Sequence, residues 1–512
     1  MANRPKQRQQ IAIERSIPAP VGGLNARDAL AQMPETDAPV LDNWFPSPSN
    51  VAVRNGYSAW VQQAGFNVKT LMCYSPPSGV RKLFAAANGN IYDVTSAGAL
   101  PAPSVSGQTS DWWQHLNVQA GGGQYLMCAN GADSIQLFNG TTWQTVTGVS
   151  APIAITGITT SNIIHLNNFK GRVFLIEKNS MRAWFLPLNS IGGAASQLDF
   201  SMYTKLGGYL MAMITWTVDN AGGIDERAAF ITSEGEVLLF TGTDPSYASS
   251  WFLQGSFRIG RPVGRRCYAR IGSDVAVISA DGVYPMSQAL LTDRSQRNDA
   301  LSDKIVNLVN TDVQLYSGNQ GWQLILHPIG NKFIVNVPAT TGTYQYVQNT
   351  VHGAWCRFTG WLASCFELFG DQLMMGTPAG VFWADNGAAD LAGNINVLAI
   401  QAPSKYGEAG IKQFTMARPV MYSNAKIRPA FQVNVDYDLS APSNTTSFFQ
   451  SNFTPWGSPW GSPWSSASLI RRDWQSVSGV GTVGSPAIAF GIRNASVNWQ
   501  STDVLFIPGG PV

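Results

Sequence analysis

Five arginines crowd one short stretch of this 512-residue chain: Arg258, Arg261, Arg265, Arg266 and Arg270. A guanidinium is a planar, permanently charged fork that fits the paired oxygens of a phosphate or carboxylate. On a strand and its loop, such side chains can line one face. They would then contact DNA phosphates, pair with acids of a neighbouring subunit, or solvate a strand edge; the sequence leaves all three open. Gly260-Arg-Pro-Val-Gly-Arg-Arg266 has the glycines of a phosphate loop. It lacks the Gly-Lys-Ser/Thr ending and runs into a strand, so nucleotide binding is not expected.

Other reactive residue types are scattered. The histidines, His115, His165, His327 and His352, fall in no metal-binding spacing. Cys73, Cys128, Cys267, Cys356 and Cys365 are odd in number and form no CxxC pair, which predicts buried reduced thiols. Ser279 with Asp281-Gly282 half-matches the Asp box of sialidase propellers, Ser-x-Asp-x-Gly-x-x-Trp. Here Asp and Gly are adjacent and the Trp is absent, so the match fails. There is no GxSxG elbow, and no acid pair stands out as a glycosidase couple. The expectation is a protein with no catalytic residue, metal or cofactor. Asn139, Asn444, Asn452 and Asn494 open formal glycosylation sequons, which carry no weight without a secretion signal.

The second candidate contact surface is aromatic. Phe453-Thr-Pro-Trp456-Gly-Ser-Pro-Trp460-Gly-Ser-Pro-Trp464 places a proline every fourth residue. Proline excludes a regular helix or a central strand, so an extended loop displaying Trp456, Trp460 and Trp464 is expected. These indoles either meet a partner or fold back on their own domain, for instance on a strand expected over 431–437.

The elements that must position these groups are hairpins. Charged residues make up only 12% of the chain, against 50 glycines, 29 prolines and 17 tryptophans, a mix that favours strands and turns over long surface helices. Turn glycines between apolar runs stand at 89, 140, 235, 282 and 380, and weaker turns at Asn179-Ser180 and Gly330-Asn331 fill the two long gaps. Asp281-Gly282 is expected to supply the positive φ of a two-residue turn. A hairpin recurring about every 50 residues is the spacing of propeller blades. The fold expected is mainly β: a propeller of roughly six or seven blades. An irregular β-sandwich is the alternative.

Four segments follow. Residues 1–15 are expected as a mobile basic arm, and 16–64 as an extended segment lying along its own propeller or a neighbouring subunit. Residues 65–400 carry the repeat, with insertions near 200–218 and 289–310. Ile305, Leu308 and Val309 in the second insertion predict a helix. Residues 401–512 form a separate β-rich part. No secretion signal or run long enough to span a membrane is evident, so synthesis and folding in a cytoplasm are expected. A net charge of +2 argues against a protein built to coat nucleic acid.

Several stretches resemble the tail nozzle proteins of short-tailed bacteriophages, also called tail tubular protein B or packaged-DNA stabilisation proteins. They are Pro20-Val-Gly-Gly-Leu-Asn25, Ala38-Pro-Val-Leu-Asp-Asn-Trp44 with Pro46, and Arg54-Asn-Gly-Tyr57. In the middle they are Phe230 to Val237, Thr241 to Pro245, Gly255 to Gly260 and Gly272 to Tyr284; at the end, Asp503-Val-Leu-Phe506 with Gly509-Gly510. The resemblance implies a structural protein of the virion tail. It would be a homohexameric ring below the head-to-tail adaptor, with a propeller outside and β elements forming a tube that retains packaged DNA and passes it out at infection. Implied partners are the adaptor, a tail fibre or spike, a plug or needle protein, and double-stranded DNA touched transiently. A phage adhesin that binds or degrades glycans, and a monomeric propeller scaffold, are the alternatives.

Overall fold

The computed structural model describes the chain except residues 1–10, 221–222, 248, 290–299, 426, 428, 443–447, 451–468 and 510–512. It is mainly β, built from many small antiparallel sheets. Two compact units result: one of residues 1–58, 346–360 and 385–512, the other of residues 59–345 and 361–384.

The second unit is a succession of hairpin sheets. Val68–Tyr74 opens the first, Gln114–Ala120 the second, Ile163–Phe169 the third and Leu210–Asn220 the fourth, each sheet having four strands in chain order. Tyr268–Ile271 opens a three-stranded fifth, Gln323–His327 pairs with Lys332–Val337, and Cys365–Phe369 opens the last. The fourth strand of that last sheet is Tyr57–Gln62, which precedes the first sheet in the chain. Each opening strand touches the opening or the second strand of the next sheet in order, and Cys365–Phe369 touches Val68–Tyr74, so the contacts run in a closed cycle. The cores lie between sheets. Met72, Phe84, Leu126 and Phe138 join the first to the second; Met127, Leu137, Leu166 and Leu175 the second to the third; Val61, Leu71, Met374 and Val381 the last to the first. A sheet of three or four short strands cannot bury a face alone, so each is stable only against its neighbours.

The turns follow the expected residues, with one correction. Asn88 (φ 54°) and Gly89 (φ 74°) form a two-residue turn of positive φ, and Asn179 and Asn331 also take positive φ at theirs. At 282, however, the turn residues are Ala280-Asp281 and Gly282 already pairs with Ser279. Glycine is needed there because φ is +127° and a Cβ would lie 2.9 Å from Ser302 Oγ. Gly380 repeats this geometry opposite Thr377, and in both turns the hydroxyl before the turn receives the N–H two residues on.

Two further expectations change. Residues 210–218 are not an insertion but the greater part of the long strand Leu210–Asn220. The helix runs Val306–Tyr316, and its apolar stripe continues to Val313, beyond the triplet on which it was anticipated.

The first unit gathers both ends of the chain. Val497–Pro508 pairs with Lys412–Ser423, with Val51–Val53 and with the N-terminal strand Ile13–Pro18. Residues 13–15, expected in a mobile arm, are thus strand: Ile13, Glu14 and Arg15 face Phe506, Leu505 and Val504. Ile17, Phe414, Val504 and Phe506 share one core with Tyr406 and Val433. In a second sheet, Val40–Asp42 lies beside Ile395–Ile400, which pairs with Gly484–Arg493, and that strand pairs with Ala430–Val435. The strand expected over 431–437 ends at Val435, because Asp436 and Tyr437 take positive φ.

Candidate functional site

The connections entering the opening strands and the turns between second and third strands meet at one end of the ring of sheets, around a cavity of about 550 Å³. Arg261, Arg265 and Arg266 reach it from the connection between the fourth and fifth sheets. Lys178 and Glu234 reach it from the turns of the third and fourth sheets, and Trp112 from the lead into the second. Arg261, largely exposed, pairs with Glu234 at 2.7 Å. The other cations bond to backbone carbonyls and one hydroxyl. Arg265 Nη1 donates to Asn130 O at 2.9 Å, and Lys178 Nζ to the next carbonyl, Gly131 O, at 2.8 Å. Arg266 Nη2 donates to Thr70 Oγ1 at 2.7 Å and to Trp113 O at 2.9 Å. Its guanidinium lies 5.8 Å from the Trp112 ring centroid, within cation–π range. Desolvation lowers the pKa of both Arg265 and Arg266; for Arg266, Cys365 and Glu367 act against it. A side chain surrounded by the ring yet open to the cavity is crowded by protein and still reachable by solvent, which is the position of Arg265.

The five arginines therefore do not share one face. Arg258 is exposed at the end of Trp251–Arg258, the outer strand of the fourth sheet. Arg270, on the opening strand of the fifth, donates to Thr215 O at 3.4 Å. Sequence spacing suggested the cluster but missed Lys178 and Glu234, which come from turns far along the chain. The signal available for them was that each follows the second strand of a repeat. Trp456, Trp460 and Trp464 lie outside the described residues.

The buried cysteines carry no disulfide, and burial pushes the thiols of Cys73 and Cys365 up to about 11 and that of Cys267 up to about 12. Thiols held protonated in this way are packing groups rather than nucleophiles. Among the described residues, no group of His, Cys, Asp or Glu is arranged to hold a metal ion, and no helix is long and apolar enough to cross a membrane.

In the first unit, the segment that carries the phage resemblance forms a buried clasp. Arg54, 3% exposed, gives a two-pronged contact to Asp390, with Nη1 and Nη2 at 2.8 and 2.7 Å from the two carboxylate oxygens. Its Nε donates to Asn43 Oδ1 and its Nη2 also to Thr359 O, each at 2.7 Å. Asn43 in turn donates to Thr359 Oγ1 and Asn396 O. Beside it, Arg357 makes a second two-pronged pair with Asp42, both bonds 2.7 Å. Gly56 must be glycine, since a Cβ there would sit 1.8 Å from Ala389 O. Trp44 is fully buried between Phe490 and Trp499. The sequence marked Asp42, Asn43, Trp44 and Arg54 by resemblance but gave no sign of their partner Asp390.

No protein-family model and no curated protein matches the chain. Among solved structures, it is similar to BBS1N in complex with ARL6DN, soaked with lead, at 13% identity and a TM-score of 0.39, over 65% of this chain and 99% of the other. The mercury-soaked form of that complex overlaps at 12% identity and a TM-score of 0.39, over 64% and 96%. Chaetomium thermophilum Raptor overlaps at 12% identity and a TM-score of 0.38, over 65% of this chain but only 29% of its own length.

Proposed function

We propose that the chain is a structural virion protein, the tail nozzle of a short-tailed bacteriophage. Six copies would form a ring-shaped conduit that holds packaged DNA and releases it at infection. In this reading the ring unit is a seven-bladed β-propeller, its last blade closed by Tyr57–Gln62. The cyclic order of sheet contacts supports that count.

One observation carries the nozzle reading. Resembling residues from the two ends of the sequence share one sheet: Trp44–Pro46 pairs with Val51–Val53, and that strand pairs with Val497–Pro508, which carries 503–506. A likeness split between two remote ends is thereby a likeness of one contiguous substructure. The charged groups there also have structural employment, Arg54 with Asp390, Arg357 with Asp42 and Arg418 with Asp503, which suits a protein that acts by assembly rather than bond-making. The adaptor, a fibre or spike, and a plug protein would dock on the ring, and DNA would touch its tube transiently.

Negative-stain microscopy with native mass measurement tests this. A ring of six 55.2 kDa chains is expected. A trimer that binds host glycan would replace the nozzle with an adhesin, and a monomer at high concentration would leave a propeller scaffold.

A further inference from the structure

We propose that the cavity at the hub of the ring unit is a binding site for a small oxyanion of the phosphate class, held by Arg265, Arg266 and Lys178. The inference does not depend on the nozzle reading. Four cationic side chains line the cavity against one carboxylate among its described lining residues, Glu234, whose charge is already committed to Arg261 at 2.7 Å; Glu367, outside the lining, also acts on Arg266. Among the described residues, no carboxylate lies within ion-pair distance of Arg265, Arg266 or Lys178; their hydrogen bonds go to carbonyls and a hydroxyl. Carbonyl bonds orient a cation without cancelling its charge, so the cavity gathers positive charge along a lining that solvent still reaches at Arg261 and Arg265. An anion relieves that repulsion and regains part of the desolvation cost.

The chemistry of the lining sets the class of ligand. A guanidinium has five donors in a rigid fork, and Arg265 uses one of them on Asn130 O, leaving the others for an incoming oxyanion. The Arg266 fork is fixed before any ligand arrives, by Thr70, Trp113 O and the Trp112 ring, which reduces the ordering cost on binding. Planar forks from two arginines converging with a lysine ammonium suit the several oxygens of a phosphate better than one carboxylate. A volume of about 550 Å³ falls within the range of small-molecule sites.

The test is calorimetric titration of the full-length protein with inorganic pyrophosphate at constant ionic strength, with citrate as a parallel arm. Saturable binding of one pyrophosphate per chain is expected, weakened at least tenfold by Arg265→Gln and unchanged by Arg258→Gln on the outer strand. Glu234→Gln should tighten it. If Arg265→Gln lowers the melting temperature without ligand, Lys178→Met, whose head group lies in the same turn region, gives the same comparison. Absence of saturable binding at millimolar pyrophosphate, or equal affinity in the wild type and the two cavity variants, overturns the proposal. Citrate binding more tightly than pyrophosphate overturns the phosphate assignment.

Discussion

Arg54 shows how one residue can decide a unit. It is buried, charged and fully bonded, and its partners come from Asn43, Thr359 and Asp390, three remote parts of the chain. Removing one member of such a pair strands the other charge. Arg54→Met is therefore expected to destabilise by about 3–5 kcal/mol, read as a drop in the denaturant midpoint. The double variant with Asp390→Met should cost less than the sum of the two single ones; strict additivity would show that the two groups act independently. His165 is the second decisive residue. It is buried, with Nε2 2.9 Å from the Tyr268 hydroxyl, and burial followed by the charge of Arg265 depresses its pKa to about 3. The unfolded chain takes up this proton near 6.5. Between those values the unfolded state binds more protons, so this contribution is fully present above about pH 6.5 and is lost as the pH falls toward 3. His165→Gln should flatten the stability profile between about pH 6.5 and pH 5, above the main carboxylate titrations. A wild-type-like slope in the variant would remove His165 as its source.

At the scale of elements, the hairpins were legible and their closure was not. Asn88-Gly89, Asn179 and Asn331 announce turns because few side chains tolerate positive φ, and that is local information. Gly282 and Gly380 were legible as turn markers for the wrong reason. Each begins a strand, where what matters is the neighbour it approaches, Ser302 Oγ for one and Val61 O for the other. The pairing of Tyr57–Gln62 with the last sheet joins segments more than three hundred residues apart, and no periodicity within either segment signals it. For the same reason the cavity arginines were visible as a run, while Lys178 and Glu234 were not. The two glycines separate these effects. A Cβ at Gly380 would lie 2.2 Å from a backbone oxygen held in the closing sheet, whereas at Gly282 the nearest atom, at 2.9 Å, is the Ser302 hydroxyl, whose displacement costs only the hydrogen bond it accepts from Val283 N–H. Both φ values are strained for alanine. Gly380→Ala is expected to cost about 2–4 kcal/mol and Gly282→Ala about 1–2 kcal/mol, measured by chemical denaturation. Equal losses would mean that the closing strand adjusts as freely as a serine rotamer.

At the scale of the whole molecule, the placement of charge bears on how such a protein would treat DNA. The net charge is +2, and the densest arginine cluster is divided. Arg265 and Arg266 line a cavity that admits a small molecule and not a duplex, Arg261 is paired with Glu234, and Arg258 and Arg270 lie on strands of different sheets. No continuous basic track of the kind that follows a phosphate backbone results from these five residues. The conduit proposed above would also require that DNA slide, which tight or base-specific contacts would prevent. Binding of double-stranded DNA to the native assembly is therefore expected to be weak and independent of sequence, falling at least tenfold between about 50 and about 200 mM salt. Replacing Arg258, Arg261 and Arg270 together by glutamine should change that affinity less than about threefold, because few phosphates would lose a partner. Fluorescence anisotropy across a salt series gives both numbers. A large loss in the triple variant would put DNA against this cluster, and sequence-selective, submicromolar binding at physiological salt would replace the conduit with a DNA-recognition protein.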